Sequence, residues 1–315
     1  MNHALRVGEP GLSTTVQDLG RPNAISAGVP PGGAMDRFAH SAANLLVGND
    51  PGAATLECTL TGPNLVAAHA CLVAITGADL DPHINGRPAP GWTSLFLGEG
   101  DTLTFGGRRW GARAYVAIAG GFEADRWLGS LSTYALAARG GMHGRSLRSG
   151  DVLAVAGEAP KPAVSGRRLA EHLRPDYANR TLQAIPGPHF TRLDAGGRDL
   201  LFRASFIVSR DADRMGFRLE GPNLNTSGDE LLSFGLAAGA VQVPRNGQPI
   251  LLMADHQTAG GYPVVATVIS ASRPVAAQLL PGDDLHFAEG TTQQAAVMRK
   301  ALARALESLR SAPGR

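Results

Sequence analysis

Apolar and polar residues alternate over short stretches along most of the chain, a pattern typical of β-strands. Strands are predicted for ACLVAITGA, RAYVAIAG, DVLAVAG, RASFIVSR, AGAVQV and PILLMAD, and for TTVQ at 14–17. Three segments, GDTLTF, GDVLAV and GDDLHF, share a Gly-Asp turn followed by alternating residues. The chain is therefore predicted to be mainly β, and its repeated turns favour β-barrels over α/β layers.

Helical periodicity is confined to three segments. Apolar residues share one face of DRFAHSAANLL at 36–46, with Asp36 as the predicted N-cap and Gly48 as the stop. RRLAEHL at 167–173 predicts a second short helix, and AAVMRKALARALESL at 295–309 predicts a C-terminal packing or partner helix.

The two halves of the chain echo each other. LRVGEPG resembles LQAIPG, and LTGPNL resembles LEGPNL, at spacings too variable for a solenoid. We predict two related, mainly β domains, residues 1–165 and 166–290, followed by a helix and tail at 291–315. A strand exchanged between the halves is an open alternative.

Composition narrows the class of protein. The 315 residues are 43% hydrophobic and 18% charged, with a net charge of +2, which indicates an ordinary globular chain. The scattered arginines form no basic stripe, so neither nucleic acid nor a membrane is an expected partner. Lys161 and Lys300 are the only lysines, which excludes a P-loop and leaves no lysine in a context suited to covalent biotin.

Cysteine usage and the missing apolar leader predict a cytoplasmic protein. Cys58 and Cys71 lie in apolar, strand-like surroundings and are expected to be reduced and buried rather than joined in a disulfide. No stretch approaches the length of a transmembrane helix. The nine histidines form neither H-x-H nor H-E-x-x-H, so no metal site is predicted.

The first candidate site is TTVQDLGRPNAISAGVPPGGAMD, which precedes the first helix. The pair Gly32-Gly33 can bare backbone N–H groups to an anion at a helix start, and Arg21 can grip a carboxylate or phosphate. Asp18 is a candidate base or metal-side carboxylate. The alternative is structural: an Asp18–Arg21 surface pair and a tight turn.

A second candidate site, ADHQTAGGYPVVATV, follows an apolar strand. Its polar and glycine residues are Asp255, His256, Gln257, Thr258, Gly260, Gly261 and Tyr262. Asp255 or His256 could transfer protons near neutral pH, with Asp255 as the candidate base. The structural alternative is an Asp–His pair that holds the turn together. Arg145, in a Ser/His/Arg loop, and Arg214, in a segment of alternating charge, are further candidate anion ligands.

Taken in order, TTVQDLGRP, GVPPGGAMDRFAHSAANLLVGN, LECTLTGPNL, GSLSTY, GGMHGRSLRSGD, DRMGFRLEGP and ADHQTAGGYPVVATVI resemble the biotin-dependent carboxyltransferase-like family. That family includes the C subunit of 5-oxoprolinase, the second allophanate hydrolase-like subunit and the carboxyltransferase region of urea carboxylase. The resemblance implies two cyclophilin-like β-barrel domains with a few short helices.

The resemblance also implies partners and a reaction. It suggests that this chain is one member of a hetero-oligomer with two other subunits. These are a smaller related B subunit and an A subunit, which is an amidohydrolase. Together they would open 5-oxo-L-proline to L-glutamate with ATP and its Mg²⁺, the ATP held by this chain or elsewhere in the complex. Alternatives are carboxyl transfer to urea or a similar amide from biotin on a separate carrier, and a regulatory protein that sequesters an inhibitor of a sensor kinase.

Residue types then suggest roles for the candidate residues. Arg21 and the N–H groups of Gly32 and Gly33 would hold the anion, and Gln257, Thr258 and Tyr262 would orient the substrate in one shared cleft. This chain departs from the family pattern at four positions, which puts its substrate in question: Leu131, His256, Ala259 and Ser272.

Overall fold

A computed structural model of the chain describes residues 3–157 and 165–311. Strand accounts for 34% of the protein and helix for 19%, which confirms the mainly β prediction. The residues group into two compact units, each built from discontinuous segments. Unit 1 comprises Met1–Arg21, Gly32–Arg174 and Leu302–Arg315, and unit 2 comprises Pro22–Pro31 and Pro175–Ala301. The domain boundaries at 165/166 and 290/291 stay predictions, and the predicted tail beyond residue 311 lies outside the described residues.

Unit 1 contains two antiparallel sheets. Their strands are β1 His3–Val7, β2 Ser13–Gln17, β3 Thr55–Thr59, β4 Leu65–Ala67, β5 Cys71–Asp79, β6 Pro82–Ile84, β7 Arg87–Pro88, β8 Ser94–Leu97, β9 Thr102–Phe105, β10 Trp110–Ile118 and β11 Val152–Ala154. One sheet has the order β11-β1-β4-β9-β6-β7 and the other β2-β3-β10-β5-β8. Apolar side chains from both sheets, such as Leu5 and Val116, join one buried core, where their removal from water stabilises the unit.

Unit 2 is a closed barrel of seven strands in the order β12-β19-β16-β17-β14-β13-β20, beside a two-stranded sheet β15-β18. Its strands are β12 Thr181–Pro186, β13 Ser205–Val208, β14 Gly216–Glu220, β15 Phe234–Gly235, β16 Ala240–Gln242, β17 Ile250–Leu252, β18 Ala259–Gly260, β19 Val264–Val268 and β20 Asp284–Glu289. The β12–β20 pair is parallel and closes the ring, which leaves the barrel without open strand edges.

The helices are α1 Arg37–Leu46, α2 Ala195–Arg203, α3 Arg273–Ala276 and α4 Thr292–Ser311. The predictions for α1 and α4 are confirmed: Asp36 caps α1 by accepting from Ala39 N–H at 2.9 Å, and Gly48 follows it with φ +83°. The predicted helix at 167–173 is wrong. Only Glu171–Leu173 form a 3₁₀ turn, because the backbone at Gly166 and Arg167 hydrogen-bonds to Ser94 instead.

All seven predicted strands are present, and the three Gly-Asp turns have one common geometry. The glycines Gly100, Gly150 and Gly282 have φ of +82°, +86° and +91°, where a side chain would be strained. Each following aspartate accepts a hydrogen bond from the N–H three residues earlier, at 2.7–2.9 Å. The repeat therefore marks a self-closed turn that introduces a strand in both units.

Candidate functional site

The carboxylate of Asp18 is the centre of a buried hydrogen-bond network in unit 1. Its Oδ1 accepts from the hydroxyls of Ser130 and Ser132, both at 2.6 Å, and from Gly20 N–H at 2.7 Å. Its Oδ2 accepts from Leu131 N–H at 2.6 Å. Four donors occupy the carboxylate, so these contacts support a role in fixing the 130–132 loop rather than in taking a proton. The catalytic assignment of Asp18 stays a prediction.

Arg21 lies against the same loop and is 2% exposed. Its Nη2 donates to the carbonyl of Ser132. The guanidinium carbon lies 5.0 Å from the ring centroid of Trp127 and 6.0 Å from that of Tyr134, and the two rings stack with an interplanar angle of 5°. The guanidinium is thus held in one orientation by a carbonyl and two aromatic rings. That Arg21 binds an anion stays a prediction.

The glycine pair before α1 allows the backbone to pack closely against the 18–20 loop. Gly33 has φ +90°, and a Cβ there would lie 2.8 Å from Gly20 N and 3.0 Å from Asp18 O. The next N–H, of Ala34, donates to Asp18 O at 2.9 Å. The backbone at 32–34 therefore packs directly on the 18–20 loop. That Gly32 and Gly33 offer N–H groups to an anion stays a prediction.

The N–H groups that follow bond to groups of the protein itself. Met35 N–H donates to Glu57 Oε2 at 2.9 Å, and Asp36 N–H donates to the Tyr115 hydroxyl at 2.8 Å. That hydroxyl donates to Glu57 Oε2 at 2.7 Å. Strand pairing places Glu57 opposite Tyr115 in the sheet, and burial raises the pKa of Tyr115. The backbone N–H groups just before α1 therefore have hydrogen-bond acceptors within the protein.

In unit 2, Arg214 and Asp255 form a bidentate ion pair. Nε and Nη2 of Arg214 lie 2.8 and 3.2 Å from the two carboxylate oxygens, and Asp255 N–H donates to Arg214 O at 2.8 Å. Both oxygens of the candidate base therefore contact the Arg214 guanidinium, and this ion pair anchors the start of the 255–262 segment. The catalytic role of Asp255 and the anion-binding role of Arg214 stay predictions.

The polar side chains in the rest of this segment differ in exposure. His256 is buried and its Nδ1 donates to Gln257 O at 2.8 Å; burial lowers the pKa of this imidazole. Gln257 is exposed, and Tyr262 is 47% exposed. A Cβ on Gly260 would lie 2.7 Å from Gln257 Nε2. The glycine therefore lets the amide of Gln257 lie across the strand.

The other two members of the segment carry backbone contacts. A Cβ on Gly261 would lie 2.8 Å from Leu231 O, and Thr258 O accepts from Leu236 N–H at 2.9 Å. Both contacts hold the 255–262 segment against the neighbouring 231–236 chain.

Arg145 is engaged by a Gly-Asp turn. Its two terminal nitrogens donate to the two oxygens of Asp151 at 2.7 and 2.9 Å, and this hydrogen bonding lowers the pKa of Asp151.

The structure brings some of the candidate residues together within each unit. In unit 1 it brings together Asp18, Arg21 and Gly33. In unit 2 it brings Arg214 to Asp255 and Gln257 to Gly260. The shared cleft between the two groups stays a prediction.

Several groups had no clear signal in the sequence. Trp127 and Tyr134 lie more than 100 residues from the arginine that they face, and no local pattern joins them. Glu57 could have been found as a lone carboxylate in the apolar strand TLECT.

The prediction for the cysteines is confirmed: Cys58 and Cys71 are free and buried, and burial raises the pKa of Cys58 to about 12.

Neither a metal cluster nor a membrane-spanning helix is found in residues 3–157 and 165–311. Within these ranges, no three His, Cys, Asp or Glu side chains are grouped so that they could hold a metal ion. In the same part of the chain, no helix is both long and apolar enough to cross a membrane.

Comparison with known proteins agrees with this architecture. Residues 27–289 match the family described as carboxyltransferase domain, subdomain A and B. The chain is 37% identical over 307 residues to the C subunit of 5-oxoprolinase from Escherichia coli, covering 97% of each chain. It is 32% identical to the C subunit of 5-oxoprolinase from Haemophilus influenzae, covering 91% of each.

A similar solved structure is longer. The crystal structure of Kluyveromyces lactis urea carboxylase has a TM-score of 0.92 and 27% identity, over 98% of this chain and 29% of that one. The family match spans both units and contains the glycine pair before α1 and the Arg214–Asp255 segment. The chain therefore belongs to the carboxyltransferase domain family, subdomains A and B.

Proposed function

We propose that this chain is the C subunit of an ATP-dependent 5-oxoprolinase, which opens 5-oxo-L-proline to L-glutamate together with partner A and B subunits. The observation that carries the proposal is the near full-length similarity to the C subunit of the Escherichia coli 5-oxoprolinase, 37% identical over 97% of both chains. The proposed enzyme hydrolyses a cyclic amide and acts in the cytoplasm.

The residues of each unit support different parts of that chemistry. In unit 1, Arg21 is a buried cation fixed by Ser132 and two aromatic rings, which suits a substrate carboxylate or a transferred phosphoryl group. In unit 2, the exposed groups of Gln257 and Tyr262 can orient a small amide substrate. Asp18 and Asp255 position these groups, through Ser132 and through Arg214.

ATP and Mg²⁺ belong to the proposal as co-substrates of the complex. Two of the candidate anion ligands, Arg145 and Arg214, each make bidentate contact with an aspartate. A triphosphate would have to displace those carboxylates. These pairs therefore favour a site for ATP that the assembled complex provides.

The test is reconstitution. The chain is produced with the A and B subunits, and glutamate release from 5-oxo-L-proline is measured with and without ATP. We expect release only when all three subunits and ATP are present. Release that requires bicarbonate and a biotinylated carrier protein, or no release at all from a stable complex, would overturn the proposal.

A variant tests the unit 2 residues in the same assay. Gln257→Ala removes an exposed amide, so it is expected to lower kcat/KM about tenfold while leaving the melting temperature unchanged. Gln293→Ala on α4, also exposed, is the matched control and is expected to keep full activity. Equal activity of the two variants would remove Gln257 from the site.

A second candidate, carboxyl transfer to urea or a similar amide, is favoured by one observation: the TM-score of 0.92 to urea carboxylase. This chain would accept biotin on a separate carrier rather than carry it. The bicarbonate and carrier arm of the reconstitution distinguishes the two reactions.

A further inference from the structure

Two neighbouring loop tips in unit 1 present apolar side chains to solvent. The first is the two-residue turn Leu128-Gly129, closed by the Trp127–Ser130 bridge, and the second is the 135–138 turn, closed by the Tyr134–Arg139 bridge. Leu128 is 50% exposed and Leu136 is 73% exposed, and the alanines at 135, 137 and 138 are exposed too. We call these residues the paired tips.

The paired tips are held together at their bases. Trp127 begins the first tip and Tyr134 begins the second, and their rings stack with centroids 6.0 Å apart. Arg21, itself buried, lies against both rings. Because the bases are fixed, the apolar side chains form a preorganised surface, which lowers the entropy cost of binding.

The backbone of the first tip is strained by the presence of leucine. Leu128 has φ +48° and Gly129 has φ +84°. A two-residue turn with both φ positive favours Asn-Gly, and this chain uses that pair at Asn85-Gly86, where φ is +51° and +73°. An exposed leucine in this conformation contributes nothing evident to folding, so strain at this position indicates a functional use.

Charge indicates what covers the paired tips. Arg126 and Arg139 flank them and are exposed, and neither forms an ion pair with any residue of the described ranges. Arg126 Nη1 donates to Gly129 O at 3.0 Å within the first tip. The exposed carboxylates nearest in sequence are Glu123 and Asp125, and Asp125 Oδ2 lies 3.0 Å from His143 Nδ1. An apolar centre with cationic edges fits a protein surface whose apolar side chains are ringed by carboxylates.

We propose that the paired tips are the docking surface for one of the partner subunits in the enzyme complex, with carboxylates around an apolar contact. This inference rests on the proposed function, which requires such subunits. Arg21 then has a second role, because its contacts with Trp127 and Tyr134 join the docking surface to the candidate site.

The test compares Leu128→Asn and Leu136→Gln with the unchanged chain, each in the three-subunit complex. The affinity between the chains is measured by titrating separately purified A and B subunits, and stability by thermal unfolding of the chain alone. We expect each variant to bind one partner about tenfold more weakly. Leu128→Asn should melt at the same temperature or higher, because asparagine relieves the strain.

The control is Phe96→Thr on β8. Phe96 is 60% exposed and lies on the edge strand opposite β2 in the same sheet. On β2, Val16 O accepts from the N–H of Thr133, which lies between the two tips in the sequence. This variant should keep full affinity. Lower stability of Leu128→Asn with unchanged affinity would assign the leucine a structural role and overturn the proposal.

Two further outcomes separate this proposal from the proposed function. If the complex forms and hydrolyses 5-oxoproline but the tip variants bind normally, the docking surface is wrong and the function stands. If the chain alone dimerises through Leu128 and Leu136, measured by light scattering, the occupant is a second copy and the proposal fails.

Discussion

His40 lies fully buried on α1, where Nδ1 is 2.8 Å from the Thr55 hydroxyl and the ring faces Tyr115 edge to face. Burial lowers the pKa of this imidazole from 6.5 to about 4, more than the carboxylates of Asp18 and Glu57 raise it, while Arg37 adds to the lowering. The folded protein therefore keeps His40 neutral at pH values where the unfolded chain protonates it.

The consequence is an acid-dependent loss of stability. Between about pH 6.5 and pH 4 the unfolded state binds more protons at this position, so the free energy of unfolding falls as the pH is lowered. The difference between the two pKa values corresponds to roughly 3 kcal/mol for this one group. In His40→Asn, which keeps a polar atom near Thr55, we expect the denaturant-derived stability to change less across this window. Parallel pH profiles of the two proteins would contradict this explanation.

At the scale of an element, the loop that leads into α1 depends on a close backbone approach. Gly33→Ala places a methyl group 2.8 Å from Gly20 N and Leu19 C, so either α1 or the 18–20 loop must shift. We expect a loss of about 2–4 kcal/mol by denaturant titration, with the Arg21 contacts weakened.

Gly86→Ala is the matched control, because Gly86 has φ +73° but no atom within 4 Å of an added Cβ. Its loss of stability should be about 1 kcal/mol, the cost of backbone strain alone. If the two variants lose equal stability, the close approach at Gly33 does not matter.

Elements with strong local signals were predictable. Asp36 and Gly48 bracket α1 in the sequence and do so in the structure. The helix expected at 167–173 failed because Leu169 is drawn into the interior, 1% exposed, and its N–H bonds to Trp92 O. A tertiary contact there outweighs local propensity. Helix α2 was missed because two glycines follow its N-cap, Asp194.

The candidate site was predictable only in part, for a related reason. Asp18 and Arg21 stand out by residue type, but their partners Ser130 and Ser132 are more than 100 residues away. Nothing local in the sequence specifies which serine a carboxylate will contact. Arg214 and Asp255 are 41 residues apart, so their ion pair likewise could not be predicted from local sequence.

At the scale of the whole molecule, the last helix belongs to the fold rather than to a loose tail. Leu309 is 2% exposed and Ala305 is 4% exposed. Leu309→Ala should therefore lower the free energy of unfolding by about 2–4 kcal/mol. Val297→Ala, on the same helix but 63% exposed, should change it by less than about 0.5 kcal/mol. Similar melting temperatures for both variants would show that α4 does not stabilise the fold.

The interleaving of the units has a consequence for synthesis. Unit 1 begins at the N-terminus but includes Leu302–Arg315, and the intervening stretch that builds unit 2 also needs Pro22–Pro31. Unit 1 therefore cannot be completed until residues 302–311 have been synthesised. A premature stop codon before residue 302 would leave unit 1 without its last segment, and the apolar surface which that segment covers would stay open to chaperones.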